Sequence, residues 1–304
     1  MRLKKASIGS GRSRGWFNLA VLSTSFVVGA FSLFGLATPI SSSPRATVTF
    51  PVDAVWQYQL QTGPGTQFAA TGGIDVGLCA KPVLGGTCQR ARVFSIDLYG
   101  PNGTSANVAG VRAIRQSGGR AICYVDAGTW ESWRPDAGAF TRSLLGRSNG
   151  WPGERWLDIR KMSLILPIMA RRVALCERAG FQAVDFDNVD AFTNVTGFPL
   201  TANEQIHYDE ALATLAHRDH MAVGLKNDSG QSKVLEPWFD FAIDEQCIQD
   251  HFCATLAPFV RAGKPVYDVE YVGNPLTTCK AAPAGIDVIM KALSLEATPW
   301  RPCR

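Results

Sequence analysis

Residues 180–192 read GFQAVDFDNVDAF, three aspartates within six residues of an otherwise apolar run. Asp185 and Asp187 alternate with Val184 and Phe186, the two-residue period of a β-strand, so both carboxylates leave one face of one strand. Neighbouring carboxylates on a buried strand repel each other and lose hydration, so a chain that keeps them there is expected to use them. A helical pattern ending in glycine precedes the stretch (ILPIMARRVALCERAG, 165–180) and another follows it (NEQIHYDEALATLAHRD, 203–219). The aspartate strand is therefore one beat of a strand–helix alternation.

The same beat recurs along the chain. Strand-like runs occupy Ala54–Leu60, Val93–Leu98, Ala121–Asp126, Arg155–Ile159, Gln182–Asp187, Met221–Lys226, Phe239–Glu245 and Lys264–Glu270, with further helical patterns over 106–119 and 254–263. Eight strands alternating with helices, and no dinucleotide glycine fingerprint, predict an α/β fold of the (β/α)8 TIM-barrel type in one domain over 51–304. Residues 38–50 read as a Ser/Pro linker. Residues 1–37 carry Arg2, Lys4, Lys5, Arg12 and Arg14 ahead of an apolar run from Trp16 to Ala37, with Gly35 and Ala37 in a small-x-small arrangement. That pattern predicts a cleaved signal peptide and a secreted, extracellular protein; the alternative is an uncleaved anchor at the cell surface.

The whole chain has a net charge of +4, but the signal segment holds five basic and no acidic residues, leaving 25 basic against 26 acidic. No basic stripe remains for nucleic acid. All eight cysteines follow the signal, and export favours bridges: Cys79–Cys88, Cys247–Cys253 and Cys279–Cys303 close short loops, while Cys123 and Cys176 read as buried thiols. Neither the cysteines nor the four histidines have metal-ligand spacing, and the Asp185 stretch fails the EF-hand pattern at Asp190 and Thr196. Neither a metal nor another cofactor is expected, and the barrel is expected to be a monomer.

In such a barrel the site lies at the C-terminal ends of the strands. Asp97, Asp126, Asp158, Asp187, Glu245 and Glu270 end six of the eight runs, and Lys226–Asn227 ends another. Any one aspartate there could merely cap a turn. Six acids predict a ring suited to a cationic or hydroxyl-rich ligand, with Asp185 able to hold a neighbouring carboxyl protonated.

In this order, ICYVDAGTWESWRPDAGAF, GERWLDIR, AGFQAVDFDNVDAF, GLKND, FDFAIDEQC and GKPVYDVEY resemble glycoside hydrolase family 114, the endo-α-1,4-polygalactosaminidases and spherulin-like proteins. The resemblance runs from about Trp56 to the C-terminus. It implies a metal-free barrel that hydrolyses a galactosamine-containing polysaccharide, with Asp187 as nucleophile or base and Glu245 as general acid. Around this pair, Tyr58, Asp97, Tyr124, Asp126, Asp185, Asn188, Asp190, Lys226, Asn227, Glu270 and Tyr271 are expected to contact sugar, and Trp130 and Trp133 to stack on it. Lys226 is alternatively the cation that keeps Asp187 ionised. The competing readings are a non-catalytic polysaccharide-binding barrel and a metal-dependent phosphoesterase.

Overall fold

The computed structural model describes residues 48–62 and 68–304; the expected signal segment and most of the linker fall outside them. Eight parallel strands follow one another around a barrel: β1 (Trp56–Gln59), β2 (Val93–Asp97), β3 (Arg120–Asp126), β4 (Ala183–Asp187), β5 (Ala222–Lys226), β6 (Phe241–Glu245), β7 (Val266–Glu270) and β8 (Asp287–Lys291). Three long helices fill the crossovers from β2 to β5: α1 (Val108–Gln116), α2 (Met162–Ala179) and α3 (Ala202–Arg218). Thr201 and Glu204 cap the start of α3 reciprocally, a capping box that fixes where this helix begins.

Among the described residues no backbone ladder joins β8 to β1. A ninth strand, β9 (Trp300–Pro302), runs antiparallel along β8 instead. Side chains tie the seam: Trp56 Nε1 donates to Asp287 O at 2.8 Å, Trp300 Nε1 to Trp56 O at 2.9 Å, and Lys291 Nζ to Gln57 Oε1 at 2.6 Å. The result is a nearly closed barrel.

Its bore is solid. Ring contacts run from Phe50 to Phe241 (5.1 Å), Tyr267 (6.1 Å), Trp56 (5.4 Å), Tyr58 (5.7 Å) and Tyr124 (6.4 Å). These rings are buried, and burying aromatic surface of this size is a main source of core stability.

Two sequence expectations are corrected. The 155–159 run forms a strand at Glu154–Leu157, but it belongs to a separate antiparallel sheet with Thr129–Glu131 and Leu145–Ser148, inserted between β3 and α2. Period-two patterning reports a strand, not the sheet it joins. The missing barrel strand is β8, which no helix follows. Asp158 accordingly leaves the strand-end ring and accepts two bonds from Arg160, at 2.7 and 2.9 Å. The second correction is that Cys123 and Cys176 are bridged, as are the three expected pairs. Cys123 alternates with Tyr124 and so faces outward from β3, where it meets the buried side of α2.

Candidate active site

Pairing register brings the acids together. Across β3 and β4, Tyr124 lies opposite Asp185 and Asp126 opposite Asp187. Three consecutive strands end in a charged side chain followed by a residue in the left-handed region: Asp187 then Asn188 (φ 60°), Lys226 then Asn227 (φ 58°), and Glu245 then Gln246 (φ 63°). This conformation is uncommon outside glycine, so the turn at each strand end is specified by local backbone geometry.

Lys226 is the hub. Its side chain is fully buried, and Nζ donates to Asp187 Oδ1 and to Glu245 Oε2, each at 3.1 Å. Those two oxygens therefore lie within twice that distance of each other, about 6.2 Å at most. Tyr124 OH donates to Asp187 Oδ2 at 2.5 Å, and Tyr271 OH to Glu245 Oε1. Asn227 Nδ2 adds a bond to Glu245 Oε2 at 2.9 Å, and the Glu245 N–H returns one to Asn227 Oδ1 at 3.0 Å. Each carboxylate thus has its own tyrosine, and both share one ammonium.

The surroundings divide the titrations. Burial alone would raise Asp187, but the charge of Lys226 and the bonds from Tyr124 and Lys226 outweigh it and hold the carboxyl below its ordinary value. Asp185, one layer deeper, is pushed up to about 7 by burial, against Lys226 and with help from Asp187 and Glu245. Among the described residues Ser95 Oγ at 3.3 Å is its one hydrogen-bond donor, and Oδ1 has none. Asp185 therefore holds its proton at pH values below about 7 where Asp187 is already ionised. Burial alone would lower Lys226, but Asp187, Glu245 and Asp185 raise it well above its usual value.

The other expected sugar contacts separate into two groups. Tyr124, Asn227, Tyr271 and Lys226 converge on the pair, as described. Asn188 and Asp126 lie alongside: Asn188 Nδ2 donates to Asp126 Oδ2 at 2.8 Å, and Thr129 binds both Asp126 oxygens through N (2.7 Å) and Oγ1 (2.5 Å). Tyr58 lies beneath, its buried ring 5.8 Å from Lys226 Nζ. Asp97 is taken up by Arg134 through two bonds of 2.8 Å. Glu270 is fully buried and accepts from the Ile248 and Gln249 N–H groups at 2.6 and 3.3 Å, bracing the turn after Glu245. Asp190 accepts long contacts from Asn194 and Thr193 at the start of a short turn.

Sequence reasoning missed the inserted sheet. Glu131 and Glu154 bring carboxylate oxygens within 4.8 Å of Asp126, and burial together with Glu131, Asp187 and Glu154 raises Asp126 well above its usual value. Arg134 offsets part of this charge, reaching Glu131 Oε2 at 2.7 Å. A second close trio, Cys247, Asp268 and Glu270, has its sulfur committed to the Cys247–Cys253 bridge.

Gly128 locks the sheet to the site. A Cβ there would lie 1.7 Å from Asn188 O, a contact no side chain can make. Gly128→Ala is expected to destabilise the fold by at least about 3 kcal/mol, at the upper end of overpacking costs, and to lower activity by displacing Asn188; differential scanning calorimetry and turnover check both.

Raised carboxyls also set how stability varies with pH. Asp185 and Asp287 are pushed up to about 7 and Asp228 to about 8, with burial the leading cause in each. Between the ordinary carboxyl value and pH 7 they keep protons that the unfolded chain has released, so the stability present at low pH is lost as pH rises. Lys291, lowered to about 7 by burial, opposes this only above that pH. The thermal midpoint is therefore expected to be higher at pH 5 than at pH 7, by about 5 °C or more; a midpoint that rises over this interval contradicts the assignment.

A barrel whose mouth brings together two carboxylates from different strands has the architecture of a glycosidase. The sequence model of glycoside-hydrolase family GH114 matches residues 37–303. The chain belongs to that family and is a glycosidase. It is 28% identical to Aspergillus fumigatus Ega3, whose crystal structure in complex with galactosamine superposes with a TM-score of 0.70, covering 85% of this chain and 98% of that one. The glycoside hydrolase domain of PelA from Pseudomonas aeruginosa shares the fold at 12% identity, with a TM-score of 0.54 over 82% of this chain and 98% of the domain. No curated protein sequence matches.

Proposed function

We propose that the protein is an endo-acting hydrolase that cleaves α-1,4 bonds in galactosamine-containing polysaccharide with retention of configuration, and that it works outside the cell. The observation that carries this reading is the bridging ammonium of Lys226, which keeps Asp187 and Glu245 close. Asp187 Oδ1 and Glu245 Oε2, each 3.1 Å from Lys226 Nζ, lie no more than about 6.2 Å apart, which accommodates the ~5–5.5 Å carboxyl separation of retaining enzymes. Asp187, held ionised, attacks the anomeric carbon while Glu245 gives its proton to the glycosidic oxygen. The C–O bond breaks and a glycosyl ester forms on Asp187. A water that loses its proton to Glu245 then hydrolyses the ester, and both carboxyls return to their starting forms.

The galactosamine held by the 28%-identical Ega3 supports the substrate class, and an acid-rich mouth complements an ammonium-bearing sugar. Four disulfides support an oxidising compartment, and so does the signal-like segment. Among the described residues no helix is long and apolar enough to cross a membrane.

The test is residues 38–304 with partially deacetylated α-1,4-galactosaminan in chelator-containing buffer, following products by mass spectrometry and their anomeric form by NMR. Short α-configured galactosamine oligomers are expected. Products of inverted configuration overturn the mechanism. Polymer that is bound but intact points to a binding barrel instead.

A further inference from the structure

Trp133 and Trp151 are the only exposed aromatic side chains among the described residues, 51% and 56% accessible. A soluble fold normally covers indoles, and an exposed pair on one structural feature marks a contact surface. Both belong to the inserted sheet. Trp151 sits in the turn that joins Leu145–Ser148 to Glu154–Leu157, and its carbonyl accepts from the Glu154 N–H at 3.2 Å. Trp133 follows the strand Thr129–Glu131, and its ring lies against Gly153: a Cβ on that glycine would come within 2.9 Å of the indole. Ser132 N donates to Gly153 O at 3.0 Å, fixing the two segments together. The six-membered ring of Trp133 therefore lies beside bare backbone at Gly153 while about half of the side chain stays open.

This turn is continuous with the carboxylate pair. Glu154, three residues after Trp151, lies with Glu131 within 4.8 Å of Asp126, which stands opposite Asp187 in the β3–β4 register. Asn149 Nδ2 reaches Glu154 Oε2 at 2.5 Å and steadies that carboxylate at the rim. Stacking faces with acids beside them suit one class of ligand, a pyranose ring that carries an ammonium group.

Resting on the substrate class proposed above, we infer that Trp133 and Trp151 form an outlying subsite, which stacks an amino-sugar unit of the polysaccharide beyond the unit held at Asp187 and Glu245, with Glu154 facing its ammonium. The subsite serves binding and not bond cleavage. Truncating it raises KM for the polymer and spares kcat, the signature of uniform binding.

The Trp133→Ala/Trp151→Ala double variant tests this, with Trp133→Phe/Trp151→Phe as the conservative control. With partially deacetylated galactosaminan, KM for the alanine variant is expected to rise about tenfold, the loss expected on removing an aromatic anchor, with kcat near wild type and the phenylalanine variant recovering most of the affinity. Glu154→Gln is expected to narrow the preference for deacetylated over N-acetylated polymer. Affinity electrophoresis in gels holding the polymer reads the platform without turnover: wild type is retarded and the alanine variant much less. Equal retardation of the two overturns the subsite while leaving the hydrolase reading intact. Wild type that is retarded but never cleaves overturns the hydrolase reading alone. A variant whose kcat falls as far as its affinity also overturns the subsite, because the turn would then be supporting the catalytic centre.

Discussion

Glu245→Gln is expected to lose on the order of 10²–10⁴-fold in turnover of polysaccharide, the contribution of a positioned general acid, and Asp187→Asn at least as much. The two losses differ in kind. In the proposed mechanism Glu245 protonates the departing oxygen, so an aryl glycoside whose leaving group needs no proton is expected to restore bond cleavage in Glu245→Gln, with the glycosyl ester then accumulating because no base activates water. In that mechanism Asp187→Asn removes the attacking atom, and no leaving group is expected to rescue it. Both variants keep the shape of the native side chain and leave Lys226 one carboxylate partner, so both are expected to fold. Rescue of Asp187→Asn by the activated substrate reverses the two roles; wild-type turnover of polysaccharide in either variant removes that residue from the mechanism.

Lys226→Met is expected to cost more stability than either. Three carboxyls, Asp185, Asp187 and Glu245, surround this ammonium, and methionine fills its volume without its charge. Breaking a buried ion pair from one side costs about 3–5 kcal/mol because the remaining charge is left uncompensated. The cost depends on pH in a defined direction. Without Lys226, burial raises Asp187 instead of being outweighed, so the penalty is small where the carboxyls are protonated and grows as pH rises. The midpoint deficit against wild type should therefore be larger at pH 7 than at pH 4, with the acid limb of kcat/KM displaced upward as Asp187 becomes harder to ionise. A deficit that is equal at both pH values means that Lys226 fills space and does not balance charge.

How much of this was legible varies by residue. Strand alternation put Asp185 and Asp187 on one face, and Tyr124 on the face of Asp126, because side-chain direction in a strand depends only on parity. Lys226 was legible only as an alternative partner for Asp187, from its charge, and its equal hold on Glu245 depends on how far β5 and β6 are staggered, which a single strand does not encode. Parity failed where a strand end marks a carboxylate but not its direction: Glu270 adjoins Tyr271 and turns the other way, into the turn after Glu245. Asp97 was acidic and well placed, yet Arg134 arrives from an insertion whose pairing is antiparallel and local. The same insertion hid Glu131 and Glu154. The Cys123–Cys176 bridge joins wall to helix, a contact that exists only once the helix has docked.

The aromatic column from Phe50 to Tyr124 makes the barrel a bowl and not a pipe. No ligand can thread through it. Whatever binds must settle on the rim at the strand ends, and it comes and goes by the same side.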